Sequence, residues 1–176
     1  ALYNQGIMDF GAIQCTPQSP DCLFCPLSAG CSALSKGLVT VLPVKQHKTK
    51  TTNRYFNYIY VRAGAHTFIN KRTDNDIWKN LFELPLIETS SSLPEEEFLA
   101  LPEFQTLFAP GEQPVVRSVC REVKHVLSHR VIYANFYEVV LPEKTKSFSS
   151  YLKIKTSELE QYAVPKLIHA FLEKYV

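Results

Sequence analysis

The spacing of apolar and polar positions changes character along this chain. Leu2, Gly6, Asp9 and Phe10 recur at helical intervals, which predicts a helix over residues 1–12 with Gly11 as its stop. No capping residue precedes this run, so it reads as the interior of a helix and predicts that the chain continues a longer one. Residues 13–37 read as a loop rich in Cys and Pro, with one helical turn at Cys31-Ser32-Ala33-Leu34 that Gly37 can end. From Tyr55 the pattern becomes aromatic and β-branched. Tyr55–Val61 predicts a strand, Gly64 a turn, and Thr67-Phe68-Ile69 a return strand. Residues 77–85 lead into a further short strand. Pro94 and Glu95-Glu96-Glu97 mark the first turn of a helix over 93–99. Val115–Leu127 and Val131–Leu141 predict two long strands. A last helix runs from Pro165 to Tyr175, with Leu167, Ile168, Phe171 and Leu172 on one stripe. Strands with interspersed helices predict an α+β domain over 55–176, behind a short all-α segment.

Composition adds little to this picture. With 11 Phe and 9 Tyr, a sizeable core can be buried. A net charge of +2 does not mark a nucleic-acid binder, so local clusters matter more. No apolar run has the length of a membrane span, and no secretion signal opens the chain, so an intracellular protein is expected. Residues 38–54 read as a linker. From Lys36 to Arg54 there are five basic residues and no acidic one. A solvated connector accounts for that run. Phosphate contact through Lys45, Lys48 and Lys50 is the sharper alternative.

Four of the five cysteines crowd into one stretch. Cys15, Cys22, Cys25 and Cys31 stand as C-x6-C-x2-C-x5-C. Zinc and a [4Fe–4S] cluster both accept four thiolates. Structural zinc favours two tight pairs, and only Cys22 and Cys25 form one, so the spacing suits the wider cubane better while leaving zinc open. An odd cysteine count without a secretion signal disfavours disulfides. Cys120 stands apart in a predicted strand and reads as a buried, inert thiol.

The cysteine spacing, with Cys25-Pro26-Leu27 inside it, resembles the iron–sulfur loop of the helix-hairpin-helix DNA glycosylases. The preceding Tyr3-Asn4-Gln5-Gly6-Ile7-Met8-Asp9-Phe10-Gly11-Ala12 looks like the helix before that loop in the MutY family of adenine DNA glycosylases. The resemblance implies a structural 4Fe-4S cluster on Cys15, Cys22, Cys25 and Cys31. It also places Gln5 at a family position that contacts the extruded adenine; without it, Gln5 is a solvated helix residue. Endonuclease III ends soon after its cluster, whereas this chain continues for over a hundred residues. The continuation resembles the C-terminal domain of MutY, which has a Nudix-like fold. Leu42-Pro43-Val44-Lys45, Asn70-Lys71-Arg72, Trp78-Lys79-Asn80-Leu81-Phe82-Glu83-Leu84-Pro85 and Gln161-Tyr162-Ala163-Val164-Pro165 carry that likeness. The implied division is 1–37, the end of a glycosylase catalytic domain with its cluster loop; 38–54, a linker; and 55–176, a Nudix-like mixed-sheet domain for lesion recognition.

Pyrophosphohydrolase activity is not expected. No Gly-Gly follows Glu83-Leu84-Pro85, the consecutive Glu95, Glu96 and Glu97 cannot stack on one helix face, and Arg121-Glu122 is followed by Val123-Lys124. Leu127-Ser128-His129 falls where the MutY family carries Phe-Ser-His, on a loop that reaches the oxidised guanine. Leu replaces Phe and so lacks the ring that would stack; a bulky apolar side chain can still wedge at a base step. Ser128 can donate and accept, and 8-oxoguanine carries a proton on N7 that guanine lacks. His129 would support the loop or touch phosphate. Read without the family, the triplet is an ordinary turn.

The resemblance thus implies a monomeric enzyme that excises adenine from duplex DNA bearing 8-oxoguanine·A or G·A, in the cytoplasm if bacterial. The family's acidic pair lies upstream of the matching segment. Asp9 is not its equivalent, so no catalytic residue is expected in this chain, and the chain alone should be inactive. A stand-alone metal-loop and Nudix-like binding module is the alternative, and a zinc interaction domain a third.

Overall fold

The structure is a computed structural model that describes residues 2–42, 44 and 51–176. The chain forms two compact units, Ala1–Thr49 and Lys50–Val176. Among the described residues no helix is long and apolar enough to cross a membrane.

The first unit holds α1 (Leu2–Ile13) and α2 (Ser32–Ser35), with a short 3-10 turn at Ser28–Gly30 between them. α1 runs two residues past Gly11. That glycine is not in a left-handed conformation and caps nothing, so the helix ends at Ile13 as the chain enters the Thr16-Pro17 turn. Gly37 does act as a stop. At φ 64° it lets the Leu38 amide reach the Ala33 carbonyl (2.8 Å) and its own amide reach Leu34 (3.1 Å), a Schellman closure. None of the residues of α1 is buried, and Leu2, Tyr3, Ile7 and Met8 are exposed.

The second unit is built on a seven-stranded mixed sheet: β1 (Thr52–Ala63), β2 (His66–Lys71), β3 (Phe82–Glu83), β4 (Leu86–Thr89), β5 (Val115–Val126), β6 (Arg130–Leu141) and β7 (Leu152–Lys155). The main order is β3-β2-β1-β6-β5, with β4 on β1 and β7 on β2. β1 and β2 form the expected hairpin. Gly64, at φ 63°, takes the first of its two turn positions, where a side chain would also meet Glu143. β1 and β6 pair in parallel over their full length, from Thr52 opposite Arg130 to Ala63 opposite Leu141. This pairing draws Thr52 to Arg54 into the sheet, so the strand begins three residues before Tyr55, inside the stretch expected to be linker.

Because successive strand residues face opposite ways, the central strands feed two cores. On one face Phe56, Tyr58, Tyr60, Ile132, Ala134 and Phe136 pack against Leu167, Ile168 and Phe171 of α5 (Lys166–Tyr175). The Phe136 ring lies stacked near both Tyr58 (5.2 Å) and Phe171 (4.3 Å). On the other face Ile59, Val61, Tyr137 and Val139 meet Phe98 of α3 (Glu95–Leu99) and Phe104 of α4 (Pro102–Gln105). β7 and α4 were not anticipated, and where one short strand was expected around residue 85 there are two, β3 and β4. The α+β mixed sheet with flanking helices was anticipated.

Candidate functional site

The expected recognition triplet sits where β5 turns into β6. The amide of Leu127 donates to the carbonyl of Arg130 at 2.8 Å, leaving Ser128 and His129 as the two residues of the turn. Both are exposed. The His129 carbonyl accepts from the Thr52 amide at 3.2 Å, which ties the tip to the start of β1. Leu127 behaves differently. It shares its sheet face with Val123 and packs half-buried on the α5-side core, while the neighbouring Val126 is the exposed apolar side chain at the tip. Ser128 and His129 therefore stand clear on a stem that Leu127 anchors.

Beside this stem lies an ion-pair network that pattern reading did not single out. Arg54 of β1 donates to Glu88 (2.6 and 2.5 Å) and to Asp76 (2.6 Å), Arg72 donates to Glu83 (2.7 Å) and Asp76 (3.1 Å), and Arg130 donates to Asp76. Partial burial opposes the charge on Asp76. The hydrogen bonds from Arg130 and Arg54 outweigh it and hold the carboxyl well below the ordinary carboxylate range. Burial pushes the Glu83 carboxyl up, with Arg72 pulling against it. Elsewhere in the unit, hydroxyls of Ser147 and Thr145 and the Lys146 amide hold Glu112 below its usual value. In the sequence Arg54 reads as the end of the basic linker run, and Arg72 and Glu83 stand only inside the family landmarks.

These shifts set a pH dependence. A carboxylate depressed on folding contributes stability that is fully present above its unfolded value, about pH 4, and is lost as pH falls through the folded value. Acid unfolding should therefore draw on Asp76 and Glu112. Thermal melts at neutral pH and near pH 3 should show a smaller acid-induced fall in Tm for Asp76→Asn than for the unaltered chain. An equal fall in both would remove Asp76 from the account.

The cysteine loop lies in the first unit. Cys22, Cys25 and Cys31 are half-buried, Cys15 is exposed, and none is in a disulfide. Burial and the nearby thiols of Cys31, Cys15 and Cys25 push the Cys22 thiol up. Cys31 caps α2, its sulfur accepting from the Leu34 amide at 3.5 Å. An all-thiol, unbridged donor set on one loop fits an iron–sulfur centre by its chemistry, although among the described residues no three potential ligands close to metal-binding distance. Gln5 is exposed on α1 and donates to Asp9 at 2.9 Å. Lys45, Lys48 and Lys50 lie outside the described residues. Cys120 sits in β5 against the core, where burial pushes its thiol up. Glu95, Glu96 and Glu97 form the first turn of the five-residue α3, about 100° apart around its axis.

The family model for the NUDIX domain matches residues 57–174, more than half of the chain. The chain belongs to the NUDIX domain family. The NUDIX domain here belongs to a chain similar to adenine DNA glycosylases. That of Buchnera aphidicola from Schizaphis graminum is 37% identical over 87 residues, 49% of this chain and 25% of that protein. That of Buchnera aphidicola from Acyrthosiphon pisum is 25% identical over 176 residues, 98% of this chain and 47% of that protein. The chain thus spans less than half the length of these relatives. Among solved structures, the C-terminal domain of mouse MUTYH, in complex with human PCNA, aligns with a TM-score of 0.56 at 16% identity, over 69% of this chain and 86% of that one. At that identity the likeness is one of NUDIX fold.

Proposed function

We propose that this chain supplies the lesion-recognition part of an adenine DNA glycosylase, an enzyme that hydrolyses the N-glycosidic bond of adenine opposite 8-oxoguanine in duplex DNA. The observation that carries this is the tip itself: Ser128 and His129 are exposed at the turn that joins β5 to β6, at the place where the glycosylase family carries its lesion-reading Ser-His. Ser128 senses the N7 proton of the oxidised base, His129 steadies the turn or meets phosphate, and Leu127 anchors both from below. Residues 1–37 form the end of the catalytic domain, where Gln5 contacts the extruded adenine. Cys15, Cys22, Cys25 and Cys31 hold a [4Fe–4S] cluster whose role is structural. The exposed apolar residues of α1 support packing of this unit against further protein. The stretch between Gly37 and Thr52 links the units, with Lys45, Lys48 and Lys50 on phosphate, and the sheet domain that begins with β1 at Thr52 is the recognition domain. None of the residues here serves as the acid or base of bond cleavage, so the 176-residue chain alone releases no adenine. The protein acts as a monomer on 8-oxoguanine·A and G·A duplexes inside the cell, in the cytoplasm if bacterial.

Phosphate contacts hold a protein on DNA, and base contacts tell one site from another. Ser128→Ala with His129→Ala in the full-length protein should therefore shrink the preference for 8-oxoguanine·A over G·A on the order of tenfold, with little change in binding to undamaged duplex. Lys45→Ala with Lys48→Ala should weaken both alike and lower the salt slope by roughly one unit per lost phosphate contact. Dissociation constants at two salt concentrations test both variants. Equal loss on both duplexes in the Ser128/His129 variant would show that these residues do not read the lesion.

A further inference from the structure

The loop from Arg72 to Leu81 lies over the sheet face that carries Phe56, and it grips both strands of the tip. On the β6 side, Asp76 accepts from Arg130, the residue after His129, and the same carboxylate is tied to Arg54 of β1 at 2.6 Å and to Arg72 at 3.1 Å. On the β5 side, the Trp78 indole packs edge-on to His125 at 5.8 Å and to Phe56 of β1 at 6.2 Å. Trp78 stands at φ 59° and Asn80 at φ 70°, left-handed conformations that bulky side chains avoid. Such backbone persists where surrounding contacts over-determine it. Here those contacts include Arg72, which donates to the Ile77 carbonyl at 3.0 Å, and the Leu81 carbonyl, which accepts from the Arg72 amide at 2.9 Å.

β6 is held along its length by β1, whereas β5 is the edge strand and has β6 alone beside it. The register of β5 against β6 shifts twice, between Ser118 and Cys120 and between Cys120 and Val123, so only Val123 to Val126 pair in register between the irregularity and the tip. A recognition contact works only when it is held within about half an ångström of its place. We infer that Asp76 and Trp78 are positioning residues for the tip. Asp76 fixes the β6 side through Arg130 and Trp78 fixes the β5 side through His125, so that Ser128 and His129 are presented in one geometry. The inference rests on the recognition role given to Ser128 and His129.

The test compares dissociation constants of the full-length protein for 8-oxoguanine·A and G·A duplexes. Asp76→Asn should lower the ratio between them by at least about threefold while leaving affinity for undamaged duplex within about twofold. Arg130→Gln should reproduce the loss and carries the test if Asp76→Asn does not fold; Arg130→Lys should restore part of the ratio. In a Ser128→Ala/His129→Ala background, Asp76→Asn should lower the ratio no further, because nothing remains to be positioned. Two results overturn the inference while leaving the recognition role standing. In one, the ratio is unchanged in both Asp76→Asn and Arg130→Gln while the tip variant lowers it. In the other, both duplexes weaken equally, which marks a merely structural contact. A tip variant with an unchanged ratio overturns the recognition role itself, and the inference with it.

Discussion

Asn135→Ala is expected to lower the unfolding free energy by about 3 kcal/mol, a large share of what a domain of this size has. The Asn135 side chain is nearly buried between strands and bonds in both directions. Its amide donates to Asn57 Oδ1 at 2.9 Å and its oxygen accepts from the Glu122 amide at 2.8 Å. Asn57, itself only 1% exposed, passes the connection on to the Ile87 carbonyl (3.1 Å) and the Thr89 hydroxyl (3.2 Å). One pair of side chains thus staples β4, β1, β6 and the irregular part of β5. Glu122 stands at φ 53°, within the second register shift, so its N–H relies on a side chain for a partner. Truncation would orphan that N–H and the Asn57 oxygen together, each at about 1–3 kcal/mol. Urea unfolding of Asn135→Ala checks the value. A second expectation separates this account from simple loss of volume. Asn57→Leu with Asn135→Leu should cost less than the sum of the two single changes, because the groups that need each other are removed together. A single-variant loss below about 1 kcal/mol would mean that water replaces the amide, and the staple would not be a determinant of stability.

Cys22→Ala is expected to remove the proposed cluster altogether. Anaerobically purified full-length protein should carry about four irons per chain with the visible absorbance of a [4Fe–4S] centre, and the variant close to none. Cys120→Ala, in β5, should leave both readings unchanged. The expected effect is large because the cluster takes one thiolate at each corner, and Cys22→Ala removes one of four. None of the residues of α1, the 3-10 turn or α2 is buried, so apolar packing within the unit does not order the loop and ligation contributes to its folding. Native protein holding about one zinc and no iron would overturn the assignment, as would iron retained by Cys22→Ala.

The elements that could be read from sequence are those whose periodicity is undiluted. β1 and β6 are apolar through most of their length because both faces are covered, and Gly37 and Gly64 sit where left-handed backbone is required. Partnership was not legible. Periodicity identifies Tyr55–Val61 as a strand, but it cannot say that a strand much later in the chain pairs with it in parallel. That pairing is what recruits Thr52 to Arg54. β7, four residues long, is too short to show a period. At the tip, Ser128 and His129 were readable as a turn, whereas the inward packing of Leu127 follows from its place in the alternation of β5. Asp76 was hidden for a different reason. In Thr73-Asp74-Asn75-Asp76 it reads as one more solvated turn residue, and only the fold brings Arg54, Arg72 and Arg130 around it.

The parallel pairing of β1 with β6 also bears on how the chain is made. Partners are separated by 78 residues, as Asn57 and Asn135 are. At a synthesis rate of ~5–20 residues per second, β1 leaves the ribosome roughly 4–16 s before the strand that covers its second edge. Its first edge finds β2 and β4 quickly, through nearby chain. The other edge, in a strand carrying Phe56, Tyr58, Ile59 and Val61, stays open for that interval. A nascent chain in this state presents a ready template for strand addition by a neighbouring polypeptide. Yield in a cell should therefore respond to translation speed and chaperone supply more than the stability of the finished domain would suggest.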